Sequence, residues 1–225
     1  MKRGKKYRES QKKYDRGSSY DLQPALDLIK SMAYAKFDET VDLSVKVNLK
    51  KSQSVRDTVV LPHQFRGEKR VLVFCKAEKE KEAQDAGAAY VGAEDLIEKI
   101  KGGWMDFDVA VATPDMMKDV GKLGMVLGRR GLMPNPKTGT VTFDLKGALA
   151  ELKRGRVEFR ADKTGVVHLA VGKVSMETGK VAENVRAVIT EIKRKKPADA
   201  KGEFIQTISV ASTMGPGVWV AYKDE

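Results

Sequence analysis

The sequence predicts a protein of mixed α/β and α+β class in two domains, one assembled from both chain ends and one inserted between them. Three observations carry this. Val41, Leu43, Val45 and Val47 alternate with Asp42, Ser44, Lys46 and Asn48, the period of a strand with one wet face. The middle of the chain instead places unbroken apolar runs such as Val71–Phe74 between helical segments, as strands buried on both faces require. Beyond Arg156 the first style returns, with half-wet strands and a long amphipathic helix. The expected boundaries are 1–66 with 158–225 for the discontinuous α+β domain, and 67–157 for the inserted α/β domain.

Residues 1–20 are basic and nearly devoid of apolar side chains, with Lys2, Arg3, Lys5, Lys6, Arg8, Lys12, Lys13 and Arg16. They read equally as a solvated end and as an arm that neutralises phosphates. Asp21 is placed to cap a helix over 21–35, with Pro24 in its first turn. Strands follow at Val41–Asn48 and Thr58–Leu61. The insert then reads as strand 70–74, helix 78–86 ended by Gly87, strand 89–91 and helix 93–101 ended by Gly102-Gly103. Strand 107–112 and a helix opened by Pro114 come next. The Gly- and Pro-rich stretch 121–139 reads as a loop, and 144–153 as a helix. Strands at 156–160 and 166–171, a helix marked by Val181, Val185, Val188, Ile189 and Ile192, and strands at 204–211 and 218–222 complete the chain.

Composition narrows function. The chain has 225 residues, and a hydrophobic share of 41% supports packed cores. Lys plus Arg outnumber Asp plus Glu by 42 to 31, a net +11 that favours polyanionic partners. The single cysteine, Cys75, lies in an apolar run and reads as a core residue rather than a nucleophile. No stretch approaches the roughly 18 apolar residues of a membrane span, so a cytoplasmic protein without a membrane partner is expected.

No constellation supports catalysis. Gly121–Gly131 lacks the Gly-Lys-Ser/Thr ending of a phosphate-binding loop and the spacing of a dinucleotide fingerprint. No His, Cys or carboxylate cluster has metal-ligand spacing, so neither metal nor cofactor is expected. The stretch reads as a basic loop whose glycines admit a phosphate chain, or as a plain connector. Phe37 beside Lys36 is either a core plug or a stacking surface for ribose or base. In strand 204–213, Phe204, Ile208 and Val210 share one face, and Ile205, Thr207, Ser209 and Ala211 the other. That second face leads into Thr213-Met214-Gly215-Pro216-Gly217. It is either an ordinary wet sheet face or a set of short donors and acceptors for RNA. His168, mid-strand beside the cationic turn Asp162-Lys163-Thr164-Gly165, is either a structural hydrogen-bonder or a nucleic-acid contact.

Several long blocks occur together: Ala35-Lys36-Phe37-Asp38-Glu39-Thr40-Val41, Trp104-Met105-Asp106-Phe107-Asp108, Ala112-Thr113-Pro114-Asp115 and Gly131-Leu132-Met133-Pro134-Asn135-Pro136-Lys137. They are followed by Asp162–Gly165, Val171-Gly172-Lys173 and Thr213–Pro216. In this order they resemble the bacterial large-subunit ribosomal "L-one" proteins over nearly the whole chain. The resemblance implies an α+β domain from both ends and an inserted Rossmann-like, three-layer domain. It implies binding to the stalk region of 23S-type rRNA, release of deacylated exit-site tRNA and repression of the protein's own operon mRNA. A ribosomal, cytoplasmic location and a monomeric state off the ribosome are expected with it.

The family's RNA surface maps onto Lys36, Phe37, Thr40, His168, Thr207, Thr213, Met214 and Gly215, to which the turn adds Lys163 and Thr164. Thr207 stands where the family more often has Ser, and keeps the hydroxyl. Arg129, Arg130 and Lys137 are expected as a secondary RNA contact, although the family usually has proline where Arg129 stands. An enzyme whose insert binds a nucleotide is the rival reading, resting on fold pattern alone.

Overall fold

A computed structural model describes residues 4–49, 54–67, 69–197 and 202–222. Lys2 and Arg3 of the basic arm lie outside the described residues, as does Glu68 near the start of the expected insert. In chain order the elements begin with α1 (Lys5–Gln11), β1 (Ser19–Tyr20), α2 (Leu22–Met32), β2 (Thr40–Val47) and β3 (Arg56–Val60). Next come β4 (Val71–Phe74), α3 (Ala77–Asp85), β5 (Tyr90–Gly92), α4 (Glu94–Lys101), β6 (Val109–Ala112), α5 (Met117–Val120), α6 (Gly124–Arg129) and α7 (Leu145–Lys153). The chain ends with β7 (Arg156–Arg160), β8 (Val166–Lys173), α8 (Thr178–Arg194), β9 (Ile205–Ser212) and β10 (Gly217–Val220). Two compact units result: Met1–Phe65 with Val157–Glu225, and Arg66–Arg156.

The terminal unit is built on a five-stranded sheet in the order β1-β10-β9-β2-β8, with β3 and β7 paired separately. β2 is antiparallel to both β8 and β9. Its alternation sorts Val41, Leu43, Val45 and Val47 inward. They join one core with Leu26, Ile29 and Met32 of α2 and Val181, Val185, Val188 and Ile192 of α8. Both helices therefore cover the same face of the sheet. Each fully buried aliphatic side chain contributes about 2 kcal/mol by leaving water.

Two irregularities set the register. Val41 pairs with Gly172 but Asp42 with Ala170, which leaves Val171 as an extra residue on β8. Its carbonyl accepts from Asn184 Nδ2 at 2.8 Å, and Asn184 is itself fully buried. The same side chain holds His63, accepting from its N–H at 2.9 Å and donating to its carbonyl at 2.8 Å. On β9, Lys46 pairs with Thr207 but Val47 with Ile205, so Gln206 bulges out. This corrects the face assigned to Ile205, which is 3% exposed and belongs to the core.

The inserted unit is a parallel sheet in the order β5-β4-β6. Leu72 and Phe74 face α4 and the helical run over 116–127, while Val71, Val73 and Cys75 face α3 and α7. Apolar cores on both sides of one sheet make three layers and explain the unbroken apolar strands. Cys75 is buried among them. Lys69 Nζ donates to the Arg156 carbonyl at 2.7 Å, tying the unit's two ends together.

The stretch after Pro114 corrects the loop expected from Gly121. Residues 117–129 are a succession of α- and 3-10 turns, because Val120, Leu123 and Leu127 recur at helical spacing and bury fully into the core. Three glycines did not outweigh three buried anchors. Helix α2 is also shorter than 21–35. Asp21 occupies the N-cap position without a side-chain cap bond, and the helix stops at Met32. The N–H groups of Tyr34 and Ala35 bond to the Glu39 carboxylate, and Ala33 is extended.

Candidate nucleic-acid interface

The terminal unit brings two loops together at one end of β2, residues 33–39 and 213–216. Thr213 ties them. Its N–H donates to the Thr40 carbonyl at 3.0 Å. Its hydroxyl accepts from Thr40 N–H at 3.0 Å and donates to the Thr40 carbonyl at 3.2 Å. The Tyr34 hydroxyl donates to the Met214 carbonyl at 2.8 Å.

Beneath both loops sits Glu39, only 1% exposed. One carboxylate oxygen accepts from Tyr34 N–H at 3.1 Å and Ala35 N–H at 2.9 Å, and the other from Met214 N–H at 3.1 Å. Burial pushes this carboxyl's pKa up. Hydrogen bonds from the Ser212 hydroxyl and from the N–H groups of Ala35, Met214 and Tyr34 outweigh it, so the net direction is down. Ser212 Oγ in turn accepts from Gly215 N–H at 3.2 Å. A Cβ on Gly215 would lie 2.4 Å from that oxygen, so a larger residue there would displace the Ser212 hydroxyl. Asp38 adds a third segment, accepting from Ser175 N–H at 3.1 Å and from its hydroxyl at 2.8 Å.

On this frame Phe37 is 55% exposed and Met214 49% exposed. Phe37 is not the core plug that one sequence reading allowed. Lys36 and Thr213 are exposed, and Thr40 and Gly215 half-buried. The Thr213 hydroxyl, expected as a free contact, has already used its proton and one lone pair on Thr40. It offers a ligand one acceptor site.

The remaining expected residues lie away from this end. Lys46 pairs with Val166 and Thr207 six residues along β2 from Thr40, about 20 Å at strand rise. There the turn 162–165 is closed by Asp162, whose carboxylate accepts from Thr164 N–H and Val166 N–H, each at 2.8 Å. The Thr164 hydroxyl donates to the same carboxylate, leaving Lys163 exposed. These bonds, that from Val166 N–H foremost, hold the Asp162 pKa below its ordinary value. Gly165 takes φ +78°, and a Cβ there would lie 2.7 Å from the Val47 carbonyl. Between the two ends, on the face opposite α2 and α8, His168 is exposed and its Nδ1 lies 2.9 Å from Ser44 Oγ. Exposed Thr207 shares that face. The expected residues of this unit thus form a strip along β2 rather than one cluster.

Arg129, Arg130 and Lys137 belong to the inserted unit. Arg129 ends α6, Arg130 follows it, and Lys137 lies in a 3-10 turn capped by the Asn135 side chain at 2.8 Å. All three are exposed.

Sequence reasoning quotes Glu39 without giving it a role, and passes over Tyr34 and Ser212. Parity was the available signal. Glu39 has the parity of the inward-facing Val41 and Leu43, and Ser212 that of Ile208 and Val210, which places both on the buried face. Among the described residues, no group of His, Cys, Asp or Glu could hold a metal ion, and no helix is long and apolar enough to cross a membrane.

Residues 29–216 match the family described as Ribosomal protein L1p/L10e. The chain is 68% identical over 223 residues to the large ribosomal subunit protein uL1 of Treponema denticola, covering 99% of each chain. It is 62% identical over 225 residues to that of Treponema pallidum (strain Nichols), covering 100% of each. It is 56% identical over 221 residues to that of Borrelia hermsii, covering 98% of this chain and 99% of the relative.

Proposed function

The chain belongs to the ribosomal protein L1p/L10e family, and from that premise we propose that its terminal unit binds the rRNA of the large subunit's mobile side stalk. The protein is a structural constituent of the large ribosomal subunit, a ribosome component of the cytoplasm and not an enzyme.

One observation carries the RNA reading. Phe37 and Met214 stand 55% and 49% exposed on loops whose polar groups are bonded to one another. Large apolar side chains on a rigid, water-facing frame suit a partner that stacks and packs, and Lys36 beside them suits phosphate. Because the frame is already ordered, binding costs little conformational entropy. Phosphate contacts would supply the attraction, and the strip from Thr213 to Thr207 the register.

The double variant Thr213→Val, Met214→Ala tests this by filter binding to a stalk rRNA fragment. Affinity should fall by a few kcal/mol, as packing and a polar contact are lost together. Unchanged affinity with the fold intact by circular dichroism overturns the site.

The same surface serves a regulatory role in this reading, in which the protein represses translation of its own operon mRNA. The rRNA binds more tightly, so repression sets in only when free protein is in excess. Competition between the two RNAs tests the ordering, and equal or stronger affinity for the mRNA reverses it. Release of deacylated tRNA from the exit site follows if the inserted unit moves on its two chain crossings, as hinge motion permits. Arg129, Arg130 and Lys137 are the cations of that unit proposed for a secondary RNA contact. Off the ribosome the protein is proposed to be a monomer.

A further inference from the structure

The chain has two tryptophans, and they have opposite surroundings. Trp104 packs edge-on against Tyr90 at 4.8 Å and tilted against Phe107 at 5.7 Å. Trp219 lies on β10 between Val218 and Val220, which are 0% and 8% exposed, yet is itself 43% exposed. Strand parity sends it to the sheet face opposite the one that α2 and α8 cover.

Strand pairing fixes its neighbours there. Ser19 of β1 is opposite Trp219 on one side and Ser209 of β9 on the other. Ser209 pairs with Ser44, and Ser44 with His168. One row across the sheet therefore reads Ser19, Trp219, Ser209, Ser44, His168. The flanking serines are too short to cover an indole, and Gly217, two residues along the same strand, has no side chain to do so. About 14 Å separates Trp219 from His168, three strand spacings. Ser209 and Ser44 fill the interval.

We propose that Trp219 is a stacking platform for an unpaired nucleobase of the bound RNA. Ser209, Ser44 and His168 in the same row meet the adjoining sugar and base edges. An aromatic on an open sheet face, flanked by short polar groups, is the chemistry by which sheets hold single-stranded nucleotides. This extends the RNA strip sideways to the β10 edge. It rests on the RNA reading above and deepens it, since it requires a base free of its helix within reach of the sheet.

Trp104→Phe leaves Trp219 as the sole indole of the full-length chain. Titration with a stalk rRNA fragment that retains its unpaired nucleotides should quench Trp219 emission saturably, at the midpoint found by filter binding. On the wild-type background, Trp219→Ala should weaken binding roughly tenfold and Trp219→Phe less. Tight filter binding with unchanged emission, or with Trp219→Ala equal to wild type, overturns the platform and leaves the RNA reading intact. Absence of binding by the wild-type chain overturns both. The filter-binding pair stands even if Trp104→Phe does not fold.

Discussion

The Thr213 hydroxyl closes a two-way bond with the Thr40 backbone, accepting from its N–H at 3.0 Å and donating to its carbonyl at 3.2 Å. This makes Thr213 a positioning residue for both loops of the proposed RNA surface as well as a contact within it. Thr213→Val should cost about 1–2 kcal/mol of stability, because the half-buried Thr40 groups lose a partner. Thr213→Ser should recover most of that loss. Urea unfolding of the three proteins measures it, and equal midpoints for Val and Thr would refute the positioning role.

Glu39 predicts a pH dependence. Its folded pKa lies below the ordinary glutamate value of 4.5. The unfolded chain therefore takes up the proton first. The stabilisation is fully present above that ordinary value and is lost as pH falls through the depressed folded one. Glu39→Gln removes the charge and turns an NH2 toward N–H donors, at a cost on the order of 2 kcal/mol near neutrality. Its acid unfolding limb should be shallower than wild type's. A limb of identical steepness would show that Glu39 does not contribute to it.

Asn184 satisfies three backbone groups from a fully buried position: His63 N–H, the His63 carbonyl and the Val171 carbonyl. Asn184→Leu keeps the branching of the side chain but removes its polar atoms, and strands all three. A loss of about 3 kcal/mol or more is expected, read as a lower unfolding midpoint. A loss under about 1 kcal/mol would mean that the bulge at Val171 finds another donor.

Gly165→Ala combines a left-handed φ of +78° with a Cβ only 2.7 Å from the Val47 carbonyl. Strain and clash together should cost about 2–3 kcal/mol. Thermal unfolding checks this, and the turn's proximity to Lys163 and Thr164 makes a parallel loss of RNA affinity the expected companion.

Lys36 is exposed beside Phe37, so its proposed role is electrostatic. Lys36→Ala should lower RNA affinity without changing stability and reduce the log-log salt slope by roughly 0.7–0.9. An unchanged slope would mean that Lys36 neutralises no phosphate.

Much of the fold was legible from period alone. Alternation located β2, and spacing of three and four located α8, because each buries one face against a common core. The unbroken apolar run Val71–Phe74 announced a sheet with helices on both sides. Reading failed where local preference and burial disagreed. Gly121, Gly124 and Gly128 suggested a loop, but Val120, Leu123 and Leu127 hold that stretch helical by anchoring it. At the proposed site, exposure of Phe37 and Met214 could not be read from residue type. The bond between Thr213 and Thr40 spans 173 positions and leaves no local trace.

The bulge at Gln206 has an evolutionary consequence. Upstream of it Ile205 points into the core, and downstream Thr207 points out. The chemistry offered to a ligand is thus stored in spacing as much as in side-chain identity. Removing one residue at the bulge would restore plain alternation, with Ile205 still facing in and Ile208 and Ser209 keeping their faces. Point changes here can drift, as serine to threonine costs no oxygen, whereas gain or loss of a single codon in the regularly paired run from Ile208 to Ser212, which holds no spare residue, would exchange the two faces of the strand beyond it.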